Sequence, residues 1–139
     1  MARSREDVTV GDTIGPVVVT VTREMLVAYA HASLDENPIH QDEAFASGVG
    51  LPDVIAHGMW TMGAASSVVA EWAGDAGRVE SFRTRFTNMV VVPRAGGAEL
   101  EVSGVVSRID DEGRVTVDVT ESADGTKVLG RCTAVVRLD

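Results

Sequence analysis

Cysteine is nearly missing from this sequence. Cys132 is the only one among 139 residues, so no intrachain disulfide can form, which fits a reducing compartment. Basic residues are also scarce: twelve Lys and Arg stand against twenty-one Asp and Glu, a formal charge of −9. So acidic a chain is unsuited to non-specific nucleic-acid binding or to anionic membrane surfaces. Long apolar runs are lacking too. The longest, residues 59–73, is broken by Thr61, Ser66, Ser67 and Glu71, and is too short and polar to span a bilayer. The opening Met1-Ala2-Arg3-Ser4-Arg5-Glu6-Asp7 holds none of the apolar core of a secretory signal, so the expected location is the cytoplasm. No repeat, low-complexity tract or linker interrupts the chain. Residues 1–139 therefore read as one domain, with 45% hydrophobic side chains to build a core.

The first half reads as mostly helical, the second as strands. Residues 17–21 are a β-branched run and predict a strand. Thr22 follows as an N-cap, and Leu26, Tyr29 and Ala30 share one helix face that ends near Ser33. Asn37 then caps a second helix with Pro38 at its first position, Asp42 and Glu43 near its positive end, and Gly48 or Gly50 as its stop. After a loop over residues 50–57, Gly58 opens the most apolar segment of the chain. Its fifteen or sixteen residues make a rod about 23 Å long, apolar nearly all round and hence buried, which Gly74 ends. Beyond Gly77 the apolar period becomes two. Residues 79–92, the runs around Val102 and Val117, and the segment from Val128 to Leu138 predict four strands in a meander. Asp111-Glu112-Gly113 and Asp124-Gly125 supply turns. An α+β layout follows, an antiparallel sheet wrapped around one apolar helix, with an open edge that oligomerisation would cover.

Three ionisable side chains stand out: Asp35, His40 and His57. A carboxylate and an imidazole five residues apart across a proline turn can enter one cleft as an acid–base pair. By spacing alone they read more readily as a turn aspartate and a solvated histidine, since both are common in loops. Gly58, where a loop becomes a helix, offers unpartnered N–H groups that could stabilise an enolate-like oxygen, or is simply a packing glycine. His57 suits a structural role, fixing its loop by hydrogen bonding. His40, Asp42 and His57 follow no recognised metal-ligand spacing. Cys132, Met59, Met62, Trp60 and Trp72 read as core, Ser66 as a buried hydroxyl bonded to the preceding helical turn, and Gly48-Val49-Gly50 lacks the setting of a phosphate loop. Arg83 and Arg85 share one strand face, toward an anionic ligand or solvent.

Together, Asp35-Glu36-Asn37-Pro38-Ile39-His40-Gln41-Asp42 followed by Ala56-His57-Gly58-Met59 is far more specific than its parts. The pattern resembles the MaoC-like (R)-specific enoyl-thioester hydratase family, whose D-x-N-P-[LIV]-H-x-D signature it matches without a gap. The likeness extends over nearly the whole chain, including Arg85-Phe86 and the final strands. Within the family the chain is most similar to the B subunit of mycobacterial-type (3R)-hydroxyacyl-carrier-protein dehydratases, on Thr61-Met62-Gly63, Trp72 and Gly74-Asp75 as well.

The resemblance implies a hotdog fold, with Asp35 and His40 as catalytic pair, the Gly58 N–H as binder of the thioester oxygen, Asn37 as support of the catalytic loop and Ser66 as a helix serine in the site. One departure is Leu34, where relatives usually carry glycine. That change would alter the loop or narrow the pocket. The implied reaction interconverts (3R)-hydroxyacyl and trans-2-enoyl thioesters of acyl carrier protein or CoA in fatty-acid metabolism, without metal or redox cofactor. The implied assembly is a homodimer or a heterodimer with a related hotdog subunit. Arg83, Arg85, Arg94 and Arg131 are candidates to receive the anionic pantetheine arm. Two other functions compete: a hotdog thioesterase with Glu71 as base, and a non-catalytic thioester-binding subunit.

Overall fold

The valine run before Thr22 belongs to a longer strand than its β-branched residues announce. In a computed structural model, which describes all residues 1–139, β1 covers Thr13–Val21. Thr22 then takes an extended backbone, accepts the Met25 N–H on its hydroxyl, and starts α1 (Arg23–Ser33). Leu26 and Ala30 are fully buried on the inner face of α1, as their spacing predicts.

The expected second helix is split. Asn37 Oδ1 accepts the Ile39 N–H, and Pro38–His40 form one 3-10 turn only. Asp42, extended in backbone, caps a separate helix, α2 (Glu43–Gly48), by accepting the Phe45 N–H at 3.0 Å. Two capping side chains five residues apart each draw backbone donors to themselves, and the helix cannot run through both.

The long helix α3 spans Gly58–Ala73 and ends at Gly74, whose φ of +79° is the left-handed cap that glycine supplies. Ala65, Val68, Val69 and Ala73 face the core. Contrary to the sequence reading, α3 is not buried all round. Met59, Gly63, Ser67 and Glu71, spaced by four, form an exposed stripe, and Trp60, Met62 and Trp72 are half-buried. No helix is long and apolar enough to cross a membrane.

Strands β2 (Val79–Phe86), β3 (Ala98–Ile109), β4 (Arg114–Ala123), β5 (Thr126–Lys127) and β6 (Leu129–Arg137) complete one antiparallel sheet. Its order is β1-β3-β4-β6-β2, with β5 paired to β4. The meander is thus only partial: β2 lies beside β6, at the far edge from β1. Alternation reports that a segment is a strand and says nothing of its neighbour. The β2 strand also stops at Phe86, six residues early. Residues 90–92 instead pair with the loop before α3, through Ala56 N–H to Val90 O at 2.9 Å and Val92 N–H to Val54 O at 2.9 Å.

The inner face of the sheet presents Leu100, Val102 and Val106, then Val115, Val117 and Val119, then Cys132, Ala134 and Val136 to α3. Cys132 is core, as its phase predicts. A bulge at Arg131 (φ +46°) shifts the phase so that Leu129, not Gly130, is buried at the start of β6. A sheet curved along one central helix is the α+β arrangement that the resemblance implies.

Candidate active site

The segment from α1 to α3 lies over the start of α3 and carries every histidine and aspartate of the sequence motif. Leu34 ends α1 in the left-handed conformation, φ +66°. That is the backbone state glycine adopts freely, so leucine keeps the turn at a local cost of about 1 kcal/mol. Its side chain is 86% exposed and does not line the cavity at His40, so it does not narrow that pocket. Asn37 knits the loop twice more. Its N–H donates to Asp35 Oδ1 at 3.3 Å, and its carbonyl accepts the His40 N–H.

His40 and His57 are both buried, and their rings stack with centroids 3.8 Å apart. A carbonyl oxygen only accepts, which assigns both tautomers. His40 Nδ1–H donates to Ile55 O at 2.7 Å, leaving Nε2 open, and His57 Nε2–H donates to the Asp35 carbonyl at 3.0 Å. His57 therefore ties the loop that carries Asp35 to the start of α3, the structural role expected of it. Its Nδ1 is buried without a partner, and the Tyr29 ring packs edge-on against it at 4.8 Å.

Burial pushes the His40 imidazole below its ordinary value. The Ile55 carbonyl pulls it back up, the neighbouring His57 pushes it down, and the Asp35 carboxylate pulls it up. The net direction keeps His40 neutral near pH 7, the form that accepts a proton.

Donor atoms of Asp35, His40 and His57 all lie within 4.8 Å of one another. A zinc or similar ion needs lone pairs converging on one point. Here two imidazoles are stacked with their planes 23° apart, and each commits one nitrogen to a backbone carbonyl, which leaves one free nitrogen per ring. The trio suits proton transfer better than metal binding.

Gly58 begins α3, and no side chain caps the helix. The Trp60 and Thr61 N–H groups take His57 O, while those of Gly58 and Met59 have no acceptor in the chain. A Cβ at position 58 would stand 3.1 Å from the Phe86 ring. His40 and Gly58 line one cavity of about 270 Å³, together with Thr61, Phe86, Met89 and Val128. Imidazole and free amide thus face one space, and Asp35 stands beside the imidazole.

Other expected residues fall elsewhere. Ser66 is half-buried two turns along α3, lines neither this cavity nor any other large groove, and makes no bond to the preceding turn. Glu71 is exposed and lines a separate groove between α3 and β1, with Ser67 and Tyr29. Arg94 is committed to Glu43 at 3.0 Å.

Two features escaped the sequence reading. The Ile55 carbonyl that orients His40 is backbone, so no residue type announces it. Glu121 is fully buried with both carboxylate oxygens unpartnered, and burial pushes it up to about 8. Its place in the inward phase of Val115, Val117 and Val119 was the available signal.

Comparison with known proteins places the chain in a family. A fatty acid synthase beta subunit of Cochliobolus carbonum is 36% identical over 101 residues, covering 71% of this chain and 5% of that one. The 3-hydroxyacyl-thioester dehydratase X of Mycobacterium tuberculosis is 35% identical over 80 residues, covering 58% of this chain and 28% of that one. The chain therefore spans a small part of the curated relatives it matches. A solved MaoC-like dehydratase superposes with a TM-score of 0.96 at 40% identity, over 99% of this chain and 43% of that one. The two-chain HadBC (3R-hydroxyacyl-ACP dehydratase) complex of Mycobacterium tuberculosis, C-terminally truncated, shares the fold at a TM-score of 0.69 and 21% identity, over 91% and 96%. The family model for the MaoC like domain matches residues 7–124, and the chain belongs to that family.

Proposed function

We propose that this protein interconverts (3R)-hydroxyacyl and trans-2-enoyl thioesters. The observation that carries the reading is the shared cavity, lined by His40, whose Nε2 makes no hydrogen bond, and by Gly58, whose N–H has no acceptor in the chain. In the dehydrating direction, His40 Nε2 takes the C2 proton. Charge then grows on the thioester oxygen, where the Gly58 N–H stabilises it. The C3 hydroxyl leaves as water with the proton that the imidazolium now carries, and the Asp35 carboxylate orients that hydroxyl by accepting its O–H. In hydration, neutral His40 takes a proton from the water that Asp35 orients, and the imidazolium returns that proton to C2. Asn37 and His57 hold the loop so that pair and amide keep their distance.

Support against a thioesterase comes from Glu71, which lies in a different groove from Gly58. A purely binding subunit would have no use for a desolvated imidazole beside a carboxylate. The exposed Phe86 and Met89 at the cavity, with Met59 beside Gly58, fit a site completed by a second hotdog subunit, identical or related.

The test is hydration of crotonyl-CoA and longer 2-enoyl-CoA thioesters by the purified chain. Asp35→Asn and His40→Ala should each lower kcat/KM by about 100-fold or more. Thioester hydrolysis that survives both substitutions would overturn the assignment.

A further inference from the structure

A coenzyme A or carrier-protein thioester ends, beyond its pantetheine arm, in a phosphate. A protein of net charge −9 repels that group unless its cations are gathered locally. Five of its eleven arginines are spent on carboxylates: Arg23, Arg78, Arg94, Arg114 and Arg137 make ion pairs. Arg83, Arg85 and Arg131 make none. These three exposed side chains instead line one groove of about 400 Å³ on β2 and β6, with Ser81, Thr84, Thr133 and Val135 and no acidic residue.

Across the two strands Arg83 faces Thr133 and Arg85 faces Gly130. From the spacing along and between strands, the three Cα atoms fall within about 8 Å. Three guanidinium heads on long stems can then converge on one dianion, each presenting a planar fork of donors. The nearest acid on that face, Asp118, lies one strand further, opposite Thr133.

The groove is continuous with the site by chain position. On β2, Phe82 packs on the core, while Arg83 and Arg85 face away from it. Phe86, the next residue, forms the wall of the His40 cavity against Gly58. The cavity and the groove share no lining residue, and β2 is the edge strand, so an arm leaving the cavity at Phe86 reaches Arg85 by passing round that edge.

We propose that Arg83, Arg85 and Arg131 take the phosphate at the end of the substrate's pantetheine arm. This rests on the thioester reading of the His40 cavity. The experiment compares 2-enoyl thioesters of pantetheine, 4′-phosphopantetheine, coenzyme A and acyl carrier protein. Wild type is set against an Arg83→Gln/Arg85→Gln/Arg131→Gln variant whose melting curve shows that it folds.

With the phosphorylated thioesters KM should rise about tenfold or more, with kcat within about twofold, while KM for the pantetheine thioester stays unchanged. An effect with 4′-phosphopantetheine, carrier and coenzyme A thioesters alike supports the arm's own phosphate, and one with coenzyme A alone, which would put the nucleotide phosphates there instead, overturns the proposal. Equal effects with and without phosphate, or none, overturn the site. So does an effect confined to the carrier protein, which would assign the groove to an acidic protein surface. Calorimetric titration of coenzyme A reads the same contact without turnover: the variant should bind about tenfold more weakly, and equal affinities overturn the proposal. If wild type hydrates no thioester yet coenzyme A still binds through these arginines, the dehydratase reading fails and the phosphate site stands.

Discussion

His40 is held between opposing influences, and their balance sets its working range. Burial and the His57 ring lower its proton affinity, while the Ile55 carbonyl and Asp35 raise it. A histidine lowered in this way stays neutral below its ordinary 6.5, so the acid limb of kcat/KM should lie below pH 6.5. Removing the Asp35 charge takes away one raising influence. In Asp35→Asn the His40 ring resonances should titrate at still lower pH by NMR, and an upward move would contradict the pairing. Glu121 behaves in the contrary sense, because an acid raised by burial is neutral when folded. Below about pH 4.5 both folded and unfolded chains hold its proton; between 4.5 and about 8 only the folded chain does, so stability falls as pH rises through that window. The loss is on the order of a few kcal/mol. Urea unfolding at pH 5 and pH 8.5 should show this drop in wild type and a flatter profile in Glu121→Gln. At this scale the motif histidines and aspartate were legible in their spacing. Tautomer and proton affinity were not, because carbonyls and burial from distant segments decide them.

Among the elements, α3 was the most legible, since an apolar run between Gly58 and Gly74 has one stable solution. The segment over residues 34–42 was the least, because Asn37 and Asp42 each cap, and two caps in competition split one helix into a 3-10 turn and α2. That split is functional: it puts His40 at the end of a tight turn, where its ring reaches Ile55 O. Position 58 joins the two segments. In Gly58→Ala the new methyl meets the Phe86 ring at 3.1 Å and enters the cavity beside the free amide. The expected outcome is a fall in kcat/KM of about 10- to 100-fold, since displacements near 1 Å cost that much. The melting temperature should move by a few degrees at most, because Gly58 is exposed and the methyl displaces only a partly exposed ring.

Over the whole molecule, both sheet edges are open: β1 on one side, β2 on the other. Phe86, Met59 and Met89 are each more than half exposed near the mouth of the cavity. Apolar surface beside an unpaired strand edge favours a second hotdog subunit, so sedimentation equilibrium on the purified chain should give twice its 14.7 kDa mass. A monomer that gains activity only with a related chain would instead mean a heterodimer. The sequence by itself determined the central helix, the inward phase of β3 and β4, the Thr22 cap and the acid–imidazole motif, because these depend on neighbours within a few residues. The tertiary structure alone decided that β2 crosses to the far edge beside β6, that residues 90–92 clamp the loop before α3, and that His40 and Gly58 share one cavity. It alone left Arg83, Arg85 and Arg131 together and unpaired. Each of these brings together groups 18 to 57 positions apart in the chain. Such contacts are chosen by the burial of the whole sheet against α3, and no local pattern encodes them.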